Sequence, residues 1–436
     1  MSSTNNLSIA IVGSGSRFAL SLVRAVFQSS NAENIHFRLM DIDSAASTRL
    51  EELIVALNKR CGKNHSVSIH SMAREAVQGA DHVLCAFAVD FPASFLRTCW
   101  VLKDHGIDFV EGETATPGAL MALMRHLPPL LDIARAAQDS NSEVWVHVIN
   151  NPMPRLVMAL DSALNFRRVV GHCHGTLHLK DSMAGLLKLP TAELDIHVAG
   201  INHFHIVQKL LHKPTNTDLL NHIKTNISDS EREEWSSTDF TQYKMFEELG
   251  EVIGHGIWHN YDYLPYANGR MWKHSHFNTW PRDATGVLAV RQASAGKPTP
   301  ATDPAHFIAD EEQEQIFDII LALSGKSEPY HYLSGNTRNE GRLPFLPDDA
   351  IVELPAWVSD KGIALTSPIA EVPLFFQQWL STQVAIHKLS VEGALGSRRA
   401  AIESIALDPS FRSSNCSPGT LLDDMIEVNA GLVPAL

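Results

Sequence analysis

A lone cysteine stands between two histidines in Val169-Val170-Gly171-His172-Cys173-His174-Gly175, at the end of an apolar run that reads as a buried strand. Thiolate with imidazole suits a borderline divalent ion such as Zn, Mn, Fe or Co, and His203 is the imidazole that would pair with Cys173. Two protein ligands do not close a tetrahedral structural site, so the pair describes an open site with room for substrate oxygens. The plain alternative is an inert core cysteine and a hydrogen-bonded histidine, chance neighbours in a chain with 22 histidines.

A second constellation lies near the start. Leu7 to Val12 is apolar and ends in Gly13-Ser14-Gly15-Ser16, after which Phe18 to Phe27 has helical periodicity. A glycine turn between strand and helix lets backbone N–H groups reach a pyrophosphate, so Gly13, Gly15 and Ser16 are cofactor-binding candidates. Phe18 occupies the place of the third glycine of G-x-G-x-x-G. A second strand, Ile35 to Met40, stops at Asp41-Ile42-Asp43. A carboxylate there accepts from a ribose diol and repels a 2′-phosphate, which makes Asp41, with Asp43, a determinant of NAD over NADP. The competing reading is a glycine turn beside an acidic helix cap, with no nucleotide.

The elements needed to carry these groups follow from the pattern. His82 to Val89 and Val144 to Ile149 are further strands separated by helical stretches, and such alternation implies a doubly wound parallel sheet. Ala119 to Gln138 reads as a long amphipathic helix kinked at its proline pair, and a new sheet is expected from Ala192 to Val207. Residues 212–240 read as peripheral helix and 270–310 as loop. The expected fold is α/β, with a Rossmann-like NAD-binding domain over 1–180. A second α/β (α+β) domain over 181–436 would bind metal and substrate and mediate oligomerisation.

Composition narrows the partners. At 436 residues and 44% hydrophobic, the chain suits two closely packed domains. A formal charge of −14 argues against nucleic acid and anionic membranes, which demand a basic surface. No run approaches the roughly 18 apolar residues of a membrane span, and no secretory leader is recognisable, so a soluble cytoplasmic protein is expected. Five scattered cysteines read as reduced thiols.

Taken together, the ordered motifs resemble glycoside hydrolase family four, the NAD- and metal-dependent glycosidases. They are "IVGSGS", "LMDID", "GETATPGALMALMRHLP", "VINNPMP", "VVGHCHG", "AGINHF", "GRLPFLPDDAIVELPAWVSDKGI" and "KLSVEGALGSRRAAIESIALDP". The resemblance implies that Cys173 and His203 hold a manganese-type ion and that Asn151 contacts the sugar. It also implies redox-neutral hydrolysis: hydride leaves C3, a base removes the C2 proton, the aglycone is eliminated, water adds at C1, and NADH restores C3. His174 would then face the departing glycosidic oxygen. Members acting on 6-phospho-α-glucosides carry Asp after the cysteine, whereas "CHG" resembles the α-glucuronidase-like, non-phosphorylated branch.

One segment departs from the pattern. Where relatives carry the C2 base, a gapless match meets Ile257 and Trp258, neither of which is a base, leaving His259, Tyr261 or Asp262 as substitutes. Trp272 and Lys273 are candidates for sugar stacking and anion binding, and Arg97 and Arg282 for substrate binding. The expected substrate is a glycoside of an acidic, non-phosphorylated sugar, and the expected assembly a homodimer or homotetramer. A sister family cleaving a sulfonated sugar by the same chemistry, and an NAD-dependent dehydrogenase with net oxidation, are the alternatives.

Overall fold

The computed structural model describes residues 7–32, 34–107, 109, 112–254, 263, 307 and 315–436. Its first half holds β1 (Ser8–Val12), β2 (His36–Met40), β3 (Ser66–Ile69), β4 (His82–Cys85), β5 (Trp145–Val148) and β6 (Val169–Gly171). These pair in parallel in the order β3-β2-β1-β4-β5-β6. That is the doubly wound order, whose strand direction of growth reverses beside β1 and leaves a ligand crevice at the strand ends. The Rossmann-like expectation holds. Helices cover both faces, which is why β4 and β5 are buried along their whole length. Only β3 escaped sequence reading, being short, half-exposed and serine-rich.

The long helix is a single element, Pro117–Ser140, with Pro128 and Pro129 inside it. It begins at Thr116, whose hydroxyl accepts from the Gly118 N–H at 3.1 Å. Its first ten residues are almost wholly buried, between the sheet and the helices Leu374–Ala394 and Pro418–Val428.

The second half does not start a new sheet. β7 (Leu194–Ile201), β8 (Phe204–His212), β9 (Thr217–Asp218), β10 (Tyr330–Arg338), β11 (Ile351–Ser359) and β12 (Gly362–Leu365) extend the first one. The path runs β6-β10-β11-β7-β8-β9, with β12 paired to β11. β10 joins β6 at Asn336 opposite Gly171, and β11 joins β7 at Glu353 opposite Gly200. The expectation of a separate sheet from Ala192 is thereby corrected. Local alternation identifies a strand, but its neighbour here comes from about 150 residues downstream, which no local pattern encodes. Residue 180 lies inside the helix Gly175–Leu187, which links β6 to β7. The expected peripheral helices are Leu219–Asn226 and Asp229–Thr238, the latter opened by a capping box between Ser228 and Glu231. Of the stretch 270–310, all but Phe307 lies outside the described residues.

Three histidines cross the parallel sheet as one hydrogen-bonded chain. Ser324 Oγ donates to the Ile320 carbonyl at 2.7 Å, so it accepts from His82 Nε2 at 2.9 Å. His82 Nδ1 must then accept from His147 Nε2 at 3.0 Å, and His147 Nδ1 from His172 Nε2 at 2.8 Å. The Tyr332 hydroxyl donates to His172 Nδ1 at 3.5 Å. One serine proton thus fixes all three rings as neutral Nε2–H tautomers. Burial drives His147 from its ordinary 6.5 down to about 3, and burial with the neighbouring His147 drives His82 well below 6.5.

These shifts carry a signed consequence. Below about 6.5 the unfolded chain binds protons that folded His82 and His147 refuse, so stability falls as pH drops from there toward about 3. Above 6.5 both states are neutral and the contribution is flat. The urea midpoint should therefore fall between about pH 7 and about pH 5, and His147→Gln should make that fall shallower. An identical slope in the variant would contradict the assignment.

Candidate active site

Backbone sterics define the glycine turn after β1. Gly13 has φ +93°, and a Cβ there would lie 2.5 Å from the Ala86 carbonyl oxygen. A Cβ on Gly15 would come within 2.8 Å of the Ala46 Cβ. Both positions accept only glycine without a shift of the chain. Ser16 caps the helix Arg17–Gln28, its Oγ accepting from the Ala19 N–H at 3.1 Å. Phe18, in place of the third glycine, lies partly buried beside the core, while fully buried Ala19 is the small residue of the first turn.

The two acids part company. Asp41 Oδ2 accepts from the Gly15 N–H at 2.9 Å and its Oδ1 from the Asp43 N–H at 2.9 Å, which places this carboxylate against the glycine turn. Asp43 caps the helix Ser44–Cys61 and pairs with Arg49 at 3.3 Å. Asp41 is therefore the acid within reach of a ligand on the turn, and Asp43 holds the helix behind it. A close-approach glycine cradle with a carboxylate at its rim fits a dinucleotide.

Cys173 lies two residues beyond β6 and is buried, and the Gly175 N–H donates to its sulfur at 3.3 Å. This N–H opens the helix Gly175–Leu187, so the helix N-terminus faces the sulfur. His174 occupies the N-cap position, half-buried, with its ring edge-on to His178 at 4.7 Å. A Cβ on Gly171 would overlap Met153, so the Asn151-Pro152-Met153 segment is pressed against the cysteine loop. The Asn151 carbonyl accepts from His126 Nδ1 at 2.9 Å, and burial together with Arg125 lowers His126 to about 4, keeping it a neutral donor. Asn150, the preceding residue, donates to the Phe87 carbonyl.

His203 sits in the two-residue turn that joins β7 to β8, buried, with φ +64°. This left-handed conformation is uncommon for a non-glycine residue and fixes the imidazole by backbone geometry. Its neighbour Asn202 has a buried Oδ1 without a hydrogen-bond partner among the described residues, an oxygen still able to accept a donor or a cation.

Sequence reasoning missed the residue that ties these loops together. Glu353 on β11 is fully buried, and its Oε1 accepts from Thr176 Oγ1 at 2.8 Å and from Ser334 Oγ at 2.7 Å. Its Oε2 accepts from Asn202 Nδ2 at 3.2 Å, and His205 Nδ1 lies 3.5 Å from Oε1. His205 is lowered by burial against the opposing pull of Glu353. The signal was available: a lone acid inside the apolar run Ile351-Val352-Glu353-Leu354.

Other expected residues fare differently. Two of the three guanidinium nitrogens of Arg97 are committed, Nε to the Val428 carbonyl at 2.7 Å and Nη2 to Asp90 at 2.6 Å. Ile257, Trp258, His259, Tyr261, Asp262, Trp272, Lys273 and Arg282 lie outside the described residues. Among the described residues no group of three or more His, Cys, Asp or Glu side chains is gathered as for a metal ion, so Cys173 and His203 are not part of a closed protein cage. No helix of the described residues is long and apolar enough to cross a membrane.

Comparison with known proteins agrees with this arrangement. Residues 8–189 match the family 4 glycosyl hydrolase model, and residues 198–411 match the family 4 glycosyl hydrolase C-terminal domain. An α-glucosidase of Erwinia rhapontici is 24% identical, covering 96% of this chain and 97% of its own. An α-galacturonidase of Bacillus subtilis (strain 168) is 22% identical, covering 98% of each. The crystal structure of a 6-phospho-α-glucosidase from gut microorganisms, in complex with NAD and Mn2+, superposes with a TM-score of 0.77 at 20% identity. It covers 99% of this chain and 100% of that one. The two halves of a single sheet, with the glycine turn in one and the β7–β8 turn in the other, thus correspond to the two family models, and the chain belongs to family 4 of the glycosyl hydrolases.

Proposed function

We propose that this chain hydrolyses glycosides of an acidic, non-phosphorylated sugar, using NAD as a recycled cofactor and a divalent ion, with manganese the best candidate. One observation carries the reading: the loops bearing Cys173 and His203 are fastened to the same buried carboxylate, in a sheet whose first strand ends in a dinucleotide cradle. When bound, NAD supplies a reversible oxidation at sugar C3, and the ion makes the adjacent C2 proton acidic enough to remove.

The chain's own residues then have separate tasks. Gly13, Gly15 and Ser16 border the turn where the pyrophosphate would lie, a turn whose Gly15 N–H is held by Asp41 and whose Gly13 and Ser16 N–H groups are held by the Met40 and Gly13 carbonyls, and Asp41 lies within reach of the ribose hydroxyls. Cys173 and His203 hold the ion, with Asn202 Oδ1 nearby as a further oxygen. Asn151, steadied by His126, orients the sugar. His174 is half-buried at a helix N-terminus and donates a proton to the departing oxygen, a task an imidazole performs near neutral pH. The C2 base falls to His259 or Tyr261.

The preference for an acidic sugar rests on His174 following the cysteine and on the full-length α-galacturonidase relative. Aryl glycosides of glucuronate, galacturonate, sulfoquinovose and glucose 6-phosphate distinguish the options, and highest kcat/KM on the phosphorylated sugar would contradict the preference. Cys173→Ser and His203→Ala should each lower kcat/KM by roughly 100-fold or more while leaving the melting temperature of the metal-free protein nearly unchanged. Full activity of Cys173→Ser in the presence of chelator would remove the metal from the account. Turnover in heavy water should leave deuterium at C2 of the released sugar with no build-up of NADH, because a two-carboxylate hydrolase never touches that carbon. Cleavage with protium fully retained at C2 would rule out elimination.

A further inference from the structure

We infer that Glu353 is the positioning residue of the metal site: it sets the spacing of the Cys173 and His203 loops and supplies the negative charge beneath them. The inference rests on the proposed role of Cys173 and His203 as metal ligands. Its own support is the bonding of Glu353. Three neutral donors come from three different elements: Thr176 from the first turn of the helix after Cys173, Ser334 from β10, and Asn202 from the turn that carries His203. A fully buried carboxylate held only by neutral groups and a nearby histidine is costly unless something else compensates its charge. Among the described residues no lysine or arginine pairs with it. A divalent ion held between the two loops it fastens would provide that compensation.

The geometry also explains why the acid must be on β11. β10 and β11 separate β6 from β7 in the sheet, so the two ligand loops cannot be fastened by strand pairing with each other. A side chain from an intervening strand can reach both. The hydrogen bond to Thr176 orients the helix whose first N–H faces the Cys173 sulfur, and the bond to Asn202 orients the turn in which His203 holds its left-handed conformation. Partners of this kind, one bond beyond the ligands, commonly control affinity for the ion.

The test is a Mn2+ titration of the full-length protein by calorimetry, with the absorption spectrum of the Co2+-substituted protein as a second readout of thiolate coordination. Glu353→Gln keeps the size and one acceptor oxygen. It should bind Mn2+ roughly 10- to 100-fold more weakly than wild type and alter the cobalt–thiolate band, while NAD affinity stays unchanged. Thr176→Val should weaken Mn2+ in the same direction and Thr176→Ser should restore it, and this pair carries the test if Glu353→Gln does not fold. Wild-type Mn2+ affinity and an unchanged cobalt band in Glu353→Gln and Thr176→Val would overturn the positioning role alone. Absence of any wild-type Mn2+ binding that Cys173→Ser removes would overturn the metal reading, and this inference with it.

Discussion

The site depends on an insertion: β10 and β11, from late in the chain, enter the sheet between β6 and β7. Without them, the parallel half would end at β6 and the cysteine loop would face solvent at an edge. With them, a strand end and a hairpin turn from different parts of the chain meet over Glu353, and backbone pairing at Asn336–Gly171 and Glu353–Gly200 fixes their heights. Close contacts enforce that placement. A Cβ on Gly171 would overlap Met153, and a Cβ on Gly200 would meet the Phe204 carbonyl oxygen at 2.4 Å. Glycine at both positions is the condition for the loops to sit where they do.

The two ends of the site are built on different physical terms. At the glycine turn the backbone does the work: positive φ at Gly13, a capped helix, and one carboxylate against the turn. Around Glu353 the arrangement is polar and buried, and its hydrogen bonds run between elements far apart in sequence. The histidine chain from His82 to His172 runs instead across β4, β5 and the end of β6, and burial keeps His82 and His147 uncharged.

Much of this was legible in the sequence because it is local. β1, the glycine turn and the first helix are contiguous, and the acid after β2 follows from strand length alone. Cys173 and His203 stood out by chemical type, although nothing in the spacing between them said that the loops bearing them are fastened to one buried carboxylate. What stayed hidden is non-local. Reading Ala192 to Val207 as a new sheet failed because β7, besides pairing with the adjacent β8, pairs with β11 about 150 residues downstream. Glu353 is marked in the sequence as a lone acid in an apolar strand, but what it does depends on three donors around it, none adjacent in sequence. Arg97 was a substrate-binding candidate by type, and its guanidinium bonds Asp90 and the Val428 carbonyl, partners that no local pattern reveals.

The central claim is that one ion joins the two halves of the sheet through Cys173 and His203. Crystals grown with NAD and Mn2+, and measured at a wavelength where manganese scatters anomalously, locate that ion without reference to activity. A single strong peak with the Cys173 sulfur and a His203 ring nitrogen both about 2.0–2.5 Å away is the predicted result. Manganese found only elsewhere, with Cys173 and His203 apart and unliganded, would contradict it.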